Sequence, residues 1–310
     1  MESSRGTQVL YVSPMNYGAN EAVDSIAHAI DHRLSEAGIE LHVGFADFRE
    51  ADVARLVDEV VSKGISAGVA GIALWCLDPA PLEKPVKTAS AAGVPVFTLE
   101  RTPFEVEAAL VFPNFNHGQY MVDHLANTLP PGARVAVIGG PEISDDDELV
   151  AGFIYQFERT DLELLNDPTA DRHRNKTDVA TGGREAALRI LSDISTMDAL
   201  IAYNDETMLG TLEALDEVGR FGEMTLISRN GTPSAVENIK LGRTHGTWDP
   251  DAPGIGMGLG NLIIRKLVDR EDLAGAISMS PVGRMIHPGN VQRWVTYKDR
   301  IPYNKLRTDF

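Results

Sequence analysis

The segment YNDETMLGTLEALDEVG, residues 203–219, places three polar side chains directly after an apolar strand. Asn204, Asp205 and Glu206 stand where the run DALIAY gives way to helical spacing. An asparagine at this position suits two roles, because its amide caps the first turn of a helix and also exchanges hydrogen bonds with a bound molecule. Acidic side chains stabilise the positive end of the helix dipole. We therefore expect Asn204 to bind a ligand, and Asp205 and Glu206 to support the helix start.

No pattern of catalytic residues accompanies this segment. The sequence has no Ser-His-Asp order, paired-carboxylate pattern, P-loop or metal signature. His28 and His32 lie one helical turn apart, a spacing more typical here of a solvated helix face than of a zinc site. The run GIGMGLGNLI lacks the preceding strand and the spacing of a dinucleotide loop, so its small residues indicate close helix packing. The sequence therefore predicts neither an enzyme nor a bound cofactor or metal.

Polar and aromatic side chains also stand at the carboxyl ends of the other predicted strands. In open parallel sheets, ligands bind beyond these strand ends. The residues predicted to bind ligand are Asn16, Tyr17, Trp75, Glu100, Arg101, Asp147, Asn204, Asn230 and Trp248. Three of them also have a purely structural alternative. Asn204 can act as a helix cap alone, Trp75 can belong to the core, and Asp147 can be part of a solvated acidic face.

Short apolar runs alternate with amphipathic stretches along the whole chain. In the first half, the predicted strands are VLYVS, LHVGF, AGVAGIAL and PVFTL. The second half repeats the plan with RVAVIGG, DLELL, DALIAY, EMTLIS and RTHGTW. Strands that alternate with helices indicate parallel sheets covered on both faces. Two such sets predict an α/β protein with two Rossmann-like lobes, and Pro113 in FPNFNHG marks the boundary between them.

Charge and composition exclude several classes of protein. The formal net charge of −17 over 310 residues argues against a nucleic-acid partner, which would need clustered lysine and arginine. The single cysteine, Cys76, excludes an internal disulfide, and its apolar neighbours predict a buried, unreactive thiol. The N-terminal segment MESSRGTQ shows no signal peptide, so we expect either a cytoplasmic protein or a mature form without its leader.

A resemblance to a known family is carried by ALIAYNDETMLGTLEALDEVG, by LISRNGTPSAVENIKLG and by GTWDP. These segments resemble the sugar-binding type I periplasmic binding proteins, the substrate receptors of ABC importers, related to ribose-binding protein. In the N-terminal half, DFREADVARLVDEVVSKGISAGVAGIAL and AAGVPVFTLER resemble the second helix and fourth strand of the same family. The resemblance implies two lobes with a ligand cleft between them and three hinge crossings, near Asn114, Asp249 and Met279. It places residues 1–114 and 250–278 in an N-terminal lobe and residues 115–249 and 279–310 in a C-terminal lobe.

The resemblance also implies roles for individual residues. The pair after the fourth strand is usually Asp-Arg in the family and binds sugar hydroxyls; here it is Glu100 and Arg101. Asn204 matches a ligand-binding asparagine. Asn230 stands where most members have an aspartate, and Trp248 stands where many have a glutamine. A further departure is Asp147, which lies in a region that often supplies an arginine.

These residue types suit a small polyhydroxylated ligand. A carboxylate accepts hydrogen bonds from adjacent hydroxyls while an arginine donates to oxygens, and the rings of Tyr17, Trp75 and Trp248 can pack on apolar C–H faces. The alternative is a cationic ligand held by acidic groups and aromatic rings.

The implied function is that of a monomeric solute-binding protein outside the cytoplasm. It captures a monosaccharide or polyol by lobe closure and delivers it to an ABC permease at the membrane. A second hypothesis is a ligand-sensing module of the same fold, similar to lactose-repressor-like or signalling proteins. The negative charge and the lack of a helix-turn-helix at the N-terminus count against a DNA-bound regulator.

Overall fold

The computed structural model of the protein describes residues 6–75, 77–79 and 82–309. The predicted buried thiol of Cys76 and most of the segment MESSRGTQ lie outside the described residues. Two compact units make up the described chain. Unit 1 contains the residues through Phe112, then Ala252–Pro281 and the segment from Tyr297 onward, whereas unit 2 contains Pro113–Asp251 and Val282–Thr296.

Unit 1 is built on a six-stranded parallel sheet. Numbered in chain order, its strands are β1 (Gln8–Ser13), β2 (Glu40–Phe45), β3 (Gly71–Trp75), β4 (Val96–Leu99), β5 (Ala108–Val111) and β11 (Ala276–Met279). They lie side by side in the order β11-β5-β4-β3-β1-β2. Its helices are α1 (Glu21–Glu36), α2 (Val53–Ala67), α3 (Glu83–Ala91), α9 (Ala252–Leu267) and the short α10 (Tyr297–Arg300). Every residue of the inner strands β4 and β5 is apolar or threonine and buried, so both faces of this part of the sheet are covered.

The glycine-rich segment predicted to pack closely on another helix lies in α9, and this prediction is confirmed. A Cβ atom added at Gly256 would lie 2.4 Å from the carbonyl oxygen of Ile26 in α1. At Gly260 the added atom would lie 2.9 Å from the Arg33 side chain. Small residues therefore allow α1 and α9 to approach each other at backbone distance.

Unit 2 repeats the plan with one antiparallel edge. Its strands are β6 (Arg134–Ile138), β7 (Glu163–Leu164), β8 (Ala199–Ala202), β9 (Thr225–Arg229), β10 (Gly246–Asp249) and β12 (Arg284–Ile286), in the order β12-β10-β9-β8-β6-β7. Only the pairing of β10 with β12 is antiparallel among the described strands of this sheet. Its helices are α4 (Asn114–Thr128), α5 (Ser144–Phe157), α6 (Ala180–Asp193), α7 (Asp205–Glu217) and α8 (Pro233–Lys240).

These two sheets confirm the predicted α/β class with two Rossmann-like lobes. The division of the chain differs from the prediction at the C-terminus, since residues 279–310 were all assigned to the second lobe. The last segment instead packs on unit 1, where the Arg307 carbonyl accepts a hydrogen bond from the Val43 amide at 2.7 Å and Asn304 Nδ2 donates to Asp31 at 3.2 Å. The chain consequently passes between the units after Phe112, after Asp251, after Pro281 and again after Thr296.

Candidate functional site

In unit 1, strands β4, β3 and β1 are neighbours, so their carboxyl ends share one edge of the sheet. Glu100, directly after β4, has a backbone φ of 73°, in the left-handed region, and its amide donates to the Leu110 carbonyl at 2.9 Å. Its side chain is only 4% exposed and accepts a hydrogen bond from the Phe112 amide at 3.2 Å. The next residue, Arg101, is exposed at the same edge. The predicted pair therefore combines a fixed acceptor with an exposed donor.

Trp75 ends β3 and lies partly buried at this edge. Its ring meets Phe112 edge to face, with 5.5 Å between ring centroids. The indole Nε1 is buried and has no hydrogen-bond partner among the described residues. A buried donor without an acceptor costs free energy, so a ligand oxygen placed here would remove that cost.

Asn16 and Tyr17 follow β1 and are both exposed. Asn16 Nδ2 donates to Asp47 at 3.2 Å, and the Tyr17 hydroxyl lies 3.0 Å from His28 Nε2. The His28 ring stacks on Tyr303 of the last segment, with 4.0 Å between centroids. Burial lowers the pKa of His28, which keeps this ring neutral near pH 7. The two predicted residues are therefore held in place while most of the Tyr17 ring stays open to solvent.

In unit 2, strands β10, β9, β8 and β6 are neighbours and bring a second set of residues to one edge. Asn204 caps α7, as expected, because its Oδ1 accepts a hydrogen bond from the Thr207 amide at 2.9 Å. Its Nδ2 donates to Asp178 Oδ1 at 2.5 Å, and the hydroxyl of Tyr203 donates to the same oxygen. The Asn204 side chain therefore caps α7 and at the same time donates a hydrogen bond to Asp178.

Asp205 has a structural role beyond the predicted support of the helix start. This buried carboxylate accepts hydrogen bonds from Ser228 at 2.5 Å, from Thr247 at 2.7 Å, and from the amide and hydroxyl of Thr232 at 2.8 and 2.9 Å. Its partners lie on β9, on β10 and at the start of α8. The side chain therefore links the elements that carry the unit 2 residues.

Asn230 and Trp248 lie at the ends of β9 and β10. Asn230 has a φ of 125°, and its amide donates to the Trp248 carbonyl at 2.8 Å. Trp248 is only 7% exposed and belongs to the hydrophobic core of unit 2. Its Nε1 donates to the Val282 carbonyl at 3.1 Å, and its ring stacks on Tyr120. The indole expected to pack on a ligand thus presents little free surface within unit 2.

Asp147 lies in the first turn of α5, with 52% of its side chain exposed. Its carboxylate pairs with Arg174 at 3.0 Å. The same guanidinium donates to the carbonyls of Gly140 and Pro141 at 2.9 and 3.1 Å. This half-exposed ion pair is consistent with Asp147 as part of a solvated acidic face, and it is equally consistent with contact to a ligand.

The model of the periplasmic binding protein domain matches residues 10–269 of this chain. The chain belongs to this family. The ribose import binding protein RbsB of Bacillus subtilis (strain 168) is 26% identical over 234 residues, which cover 74% of this chain and 72% of the relative. The protein of the same name from Escherichia coli (strain K12) is 28% identical over 165 residues, and the match spans 53% of its length.

Solved structures share the fold of this periplasmic binding protein. An ABC transporter solute binding protein from Bacillus halodurans C-125, with bound myo-inositol, superposes with a TM-score of 0.79 at 22% identity, over 93% of this chain and 97% of the other. A solute binding protein from Actinobacillus succinogenes 130z, with bound D-allose, gives a TM-score of 0.79 at 17% identity, over 93% of this chain and all of the other (100%). At these identities the similarity establishes the fold.

The binding protein also places charged residues at the unit 2 edge that sequence reasoning missed. Arg229, the last residue of β9, is buried, and its Nη2 lies 3.4 Å from both oxygens of Asp145. Asp146, beside Asp145 in the first turn of α5, is also buried. Burial and the nearby Asp145 and Asp178 raise the pKa of Asp146 well above its usual range, against the opposing effect of Arg229. The available signal was Arg229 itself, a charged residue at the end of the predicted strand EMTLIS.

The strand ends of each unit offer hydrogen-bond donors and acceptors. The described residues contain no group of three or more His, Cys, Asp or Glu side chains arranged to hold a metal ion. Within the same part of the chain, no helix combines the length and apolar character needed to cross a membrane.

Proposed function

We propose that this protein is the solute-binding component of an ABC importer and captures a small polyhydroxylated ligand, a monosaccharide or polyol. Family membership across residues 10–269 carries the proposal. Relatives named for ribose import and solved relatives with bound myo-inositol or D-allose support a ligand rich in hydroxyl groups.

The chemistry of the unit 1 edge supports the same ligand class. The Glu100 carboxylate accepts hydrogen bonds from hydroxyl groups, and the exposed Arg101 donates to ring or hydroxyl oxygens. The Trp75 indole N–H has no acceptor among the described residues. The exposed ring of Tyr17 at the same edge also covers the apolar C–H face of a sugar or polyol. Unmatched polar groups are penalised once buried, so this arrangement selects ligands by their hydroxyl pattern.

Several further properties belong to the same proposal. We place the protein outside the cytoplasm, as a monomer that delivers its ligand to a membrane permease without chemical change. The charge of −17 supports the expectation that it binds no nucleic acid. The lobe closure expected from the sequence remains a prediction, and a smaller radius of gyration in solution scattering with ligand is the measurement that checks it.

The first experiment is a thermal-shift screen with pentoses, hexoses and cyclic and linear polyols, followed by calorimetry on each positive compound. A ligand that binds only the folded state raises the melting temperature. Chromatography after prolonged incubation should recover the ligand unchanged. A converted product would replace the proposal with an enzyme, and a panel in which nothing binds would contradict polyol capture.

A further inference from the structure

Asp146 is a buried carboxylate for which no hydrogen-bond donor is found in the described part of the chain. Its side chain is 4% exposed in the first turn of α5. It packs against the backbone of Gly140, where an added Cβ atom would lie 2.7 Å from the Asp146 Oδ2 and 2.7 Å from the Tyr203 ring. Asp146 therefore lies near the carboxyl ends of β6 and β8, close to Gly140 and Tyr203, which follow those strands.

The surroundings of Asp146 carry more negative than positive charge. Asp145 and Asp147 flank it on α5, and Asp178 faces it from the loop before α6. The nearby cation is Arg229, whose guanidinium is shared with Asp145 at 3.4 Å. The second arginine of the region, Arg174, is paired with Asp147 and with backbone carbonyls.

The polar contacts at this edge satisfy Asp178, and none of those between described residues donates to Asp146. Tyr203 and Asn204 both donate to Asp178 Oδ1. The start of α5 favours a negative charge, but it supplies no hydrogen bond to the Asp146 carboxylate among the described residues. Burying a carboxylate without a partner is costly, and like charges nearby increase the cost. A cation with several N–H donors would offset both effects at once.

We propose that the ligand carries a protonated amine on its polyhydroxylated frame and that Asp146 binds the ammonium group. The inference rests on the proposed function, because it assigns the chemistry of the same ligand. The ammonium distinguishes this protein from a receptor for neutral polyols.

Proton release on binding follows from this arrangement. Burial, Asp145, Asp178 and Asp147 raise the pKa of Asp146 in the free site, while Arg229 lowers it. Tyr203, directly after β8, faces the same group and has a raised pKa, so its hydroxyl stays neutral. Glu206 adds negative charge from the first turn of α7. An ammonium ion stabilises the ionised carboxylate, and binding should therefore tighten as the pH rises toward neutrality.

The test compares matched pairs that differ only by an amine in place of a hydroxyl group. Calorimetry at pH 7 with D-glucose and D-glucosamine, and with D-glucitol and 1-amino-1-deoxy-D-glucitol, gives the preference directly. We expect the amine of at least one pair to bind at least about tenfold more tightly. Asp146→Asn should remove that preference, whereas Asp171→Asn, which removes one exposed carboxylate of unit 2 paired with Lys176, should preserve it.

Two further measurements test the ammonium contact, the dependence of affinity on salt and the dependence of the binding heat on the buffer. Amine affinity should fall as salt rises, and the heat of binding should vary with the ionisation enthalpy of the buffer, reporting proton release. If neutral compounds bind equally well in the native protein and in the folded Asp146→Asn variant, the amine inference fails and polyol capture stands. If no member of either kind binds, the proposed function itself is contradicted.

Discussion

The amide of Asn204 donates to the carboxylate of Asp178 across 2.5 Å between Nδ2 and Oδ1. The other end of the same amide accepts the Thr207 N–H, so the helix cap fixes the direction in which Asn204 donates. Asp178 has a φ of 59°, an unusual conformation for a residue other than glycine. Helix capping and the polar edge of unit 2 are therefore coupled through one side chain.

Replacing Asn204 by alanine should affect both stability and binding. Loss of the cap should lower the free energy of unfolding by about 1 kcal/mol, and loss of the donor should weaken ligand binding at least about tenfold. Asn20→Ala is the matched control, because Asn20 caps α1 through the amides of Ala22 and Val23. It should cost similar stability with little loss of affinity. Equal affinity losses in the two variants would show that binding responds only to stability.

If Arg101 binds the ligand as proposed, Arg101→Ala should weaken ligand binding by at least about tenfold, because charge-assisted hydrogen bonds are lost. Stability should be unchanged, because the side chain is exposed. Calorimetry gives the affinity, and circular dichroism with thermal unfolding checks the fold. Arg55→Ala removes an exposed arginine from α2 and should bind as the native protein does. Normal affinity in Arg101→Ala would remove this residue from the site.

Asp205→Ala should destabilise unit 2 by at least about 2 kcal/mol, since it leaves the buried donors of Ser228, Thr232 and Thr247 without their acceptor. Asp205→Asn should cost less, because an amide can both accept from Thr232 and donate to the other hydroxyls. Urea unfolding compares the two variants. A larger loss in the asparagine variant would show that the negative charge matters more than the hydrogen bonds.

Asp205 should also make stability depend on pH. Burial raises its pKa from an ordinary value of 3.8 to about 6, although its hydrogen bonds act to lower it. The folded state therefore keeps a proton that the unfolded chain releases, so this contribution is full below about pH 4 and is lost as the pH rises through about 6. Because asparagine does not titrate, the native protein should lose about 3 kcal/mol relative to Asp205→Asn over this range. A constant difference between the two unfolding free energies would contradict the raised pKa.

The glycines of α9 should differ in their tolerance of a methyl group. Gly256→Ala would place Cβ 2.4 Å from the Ile26 carbonyl oxygen and should cost about 1–3 kcal/mol, because the two helices must separate. At Gly258 the nearest atom is a side-chain carbon of Leu110 at 3.1 Å, which can adjust. Gly258→Ala should be neutral or more stable by up to about 1 kcal/mol through helix propensity. Thermal unfolding of both variants measures the two changes in stability. Equal losses of stability would count against close packing of α1 on α9 at Gly256.

The strands with long apolar runs could be predicted from the sequence, because burial on both faces leaves an unmistakable pattern. Those at β1, β4 and β9 agree with the structure to within one or two residues. The edge strands β11 and β12 could not be predicted, since they span only Ala276–Met279 and Arg284–Ile286 and contain a single buried residue, Ile286. Their pairing depends on neighbours distant in sequence.

Site residues were predictable where their position after a strand determines their location and hydrogen bonds. Asn204 lies two residues after β8 and directly before α7, and its cap follows from local geometry. The burial of Asp146 was not predictable, because four consecutive acidic residues ordinarily face solvent and only the fold brings Arg229 and Asp178 beside them. Trp248 shows the same limit, since its burial depends on Tyr120 and Val282 from other elements.

The return of the last segment to unit 1 sets an order for folding during synthesis. Unit 2 has all of its residues once Thr296 has been made, whereas unit 1 still lacks the segment that binds Val43 and Asp31. Domains fold as units while the chain emerges. The unit that contains the earliest strand is therefore the last to be completed, and a chain stalled at residue 296 carries a complete unit 2 beside an unfinished unit 1.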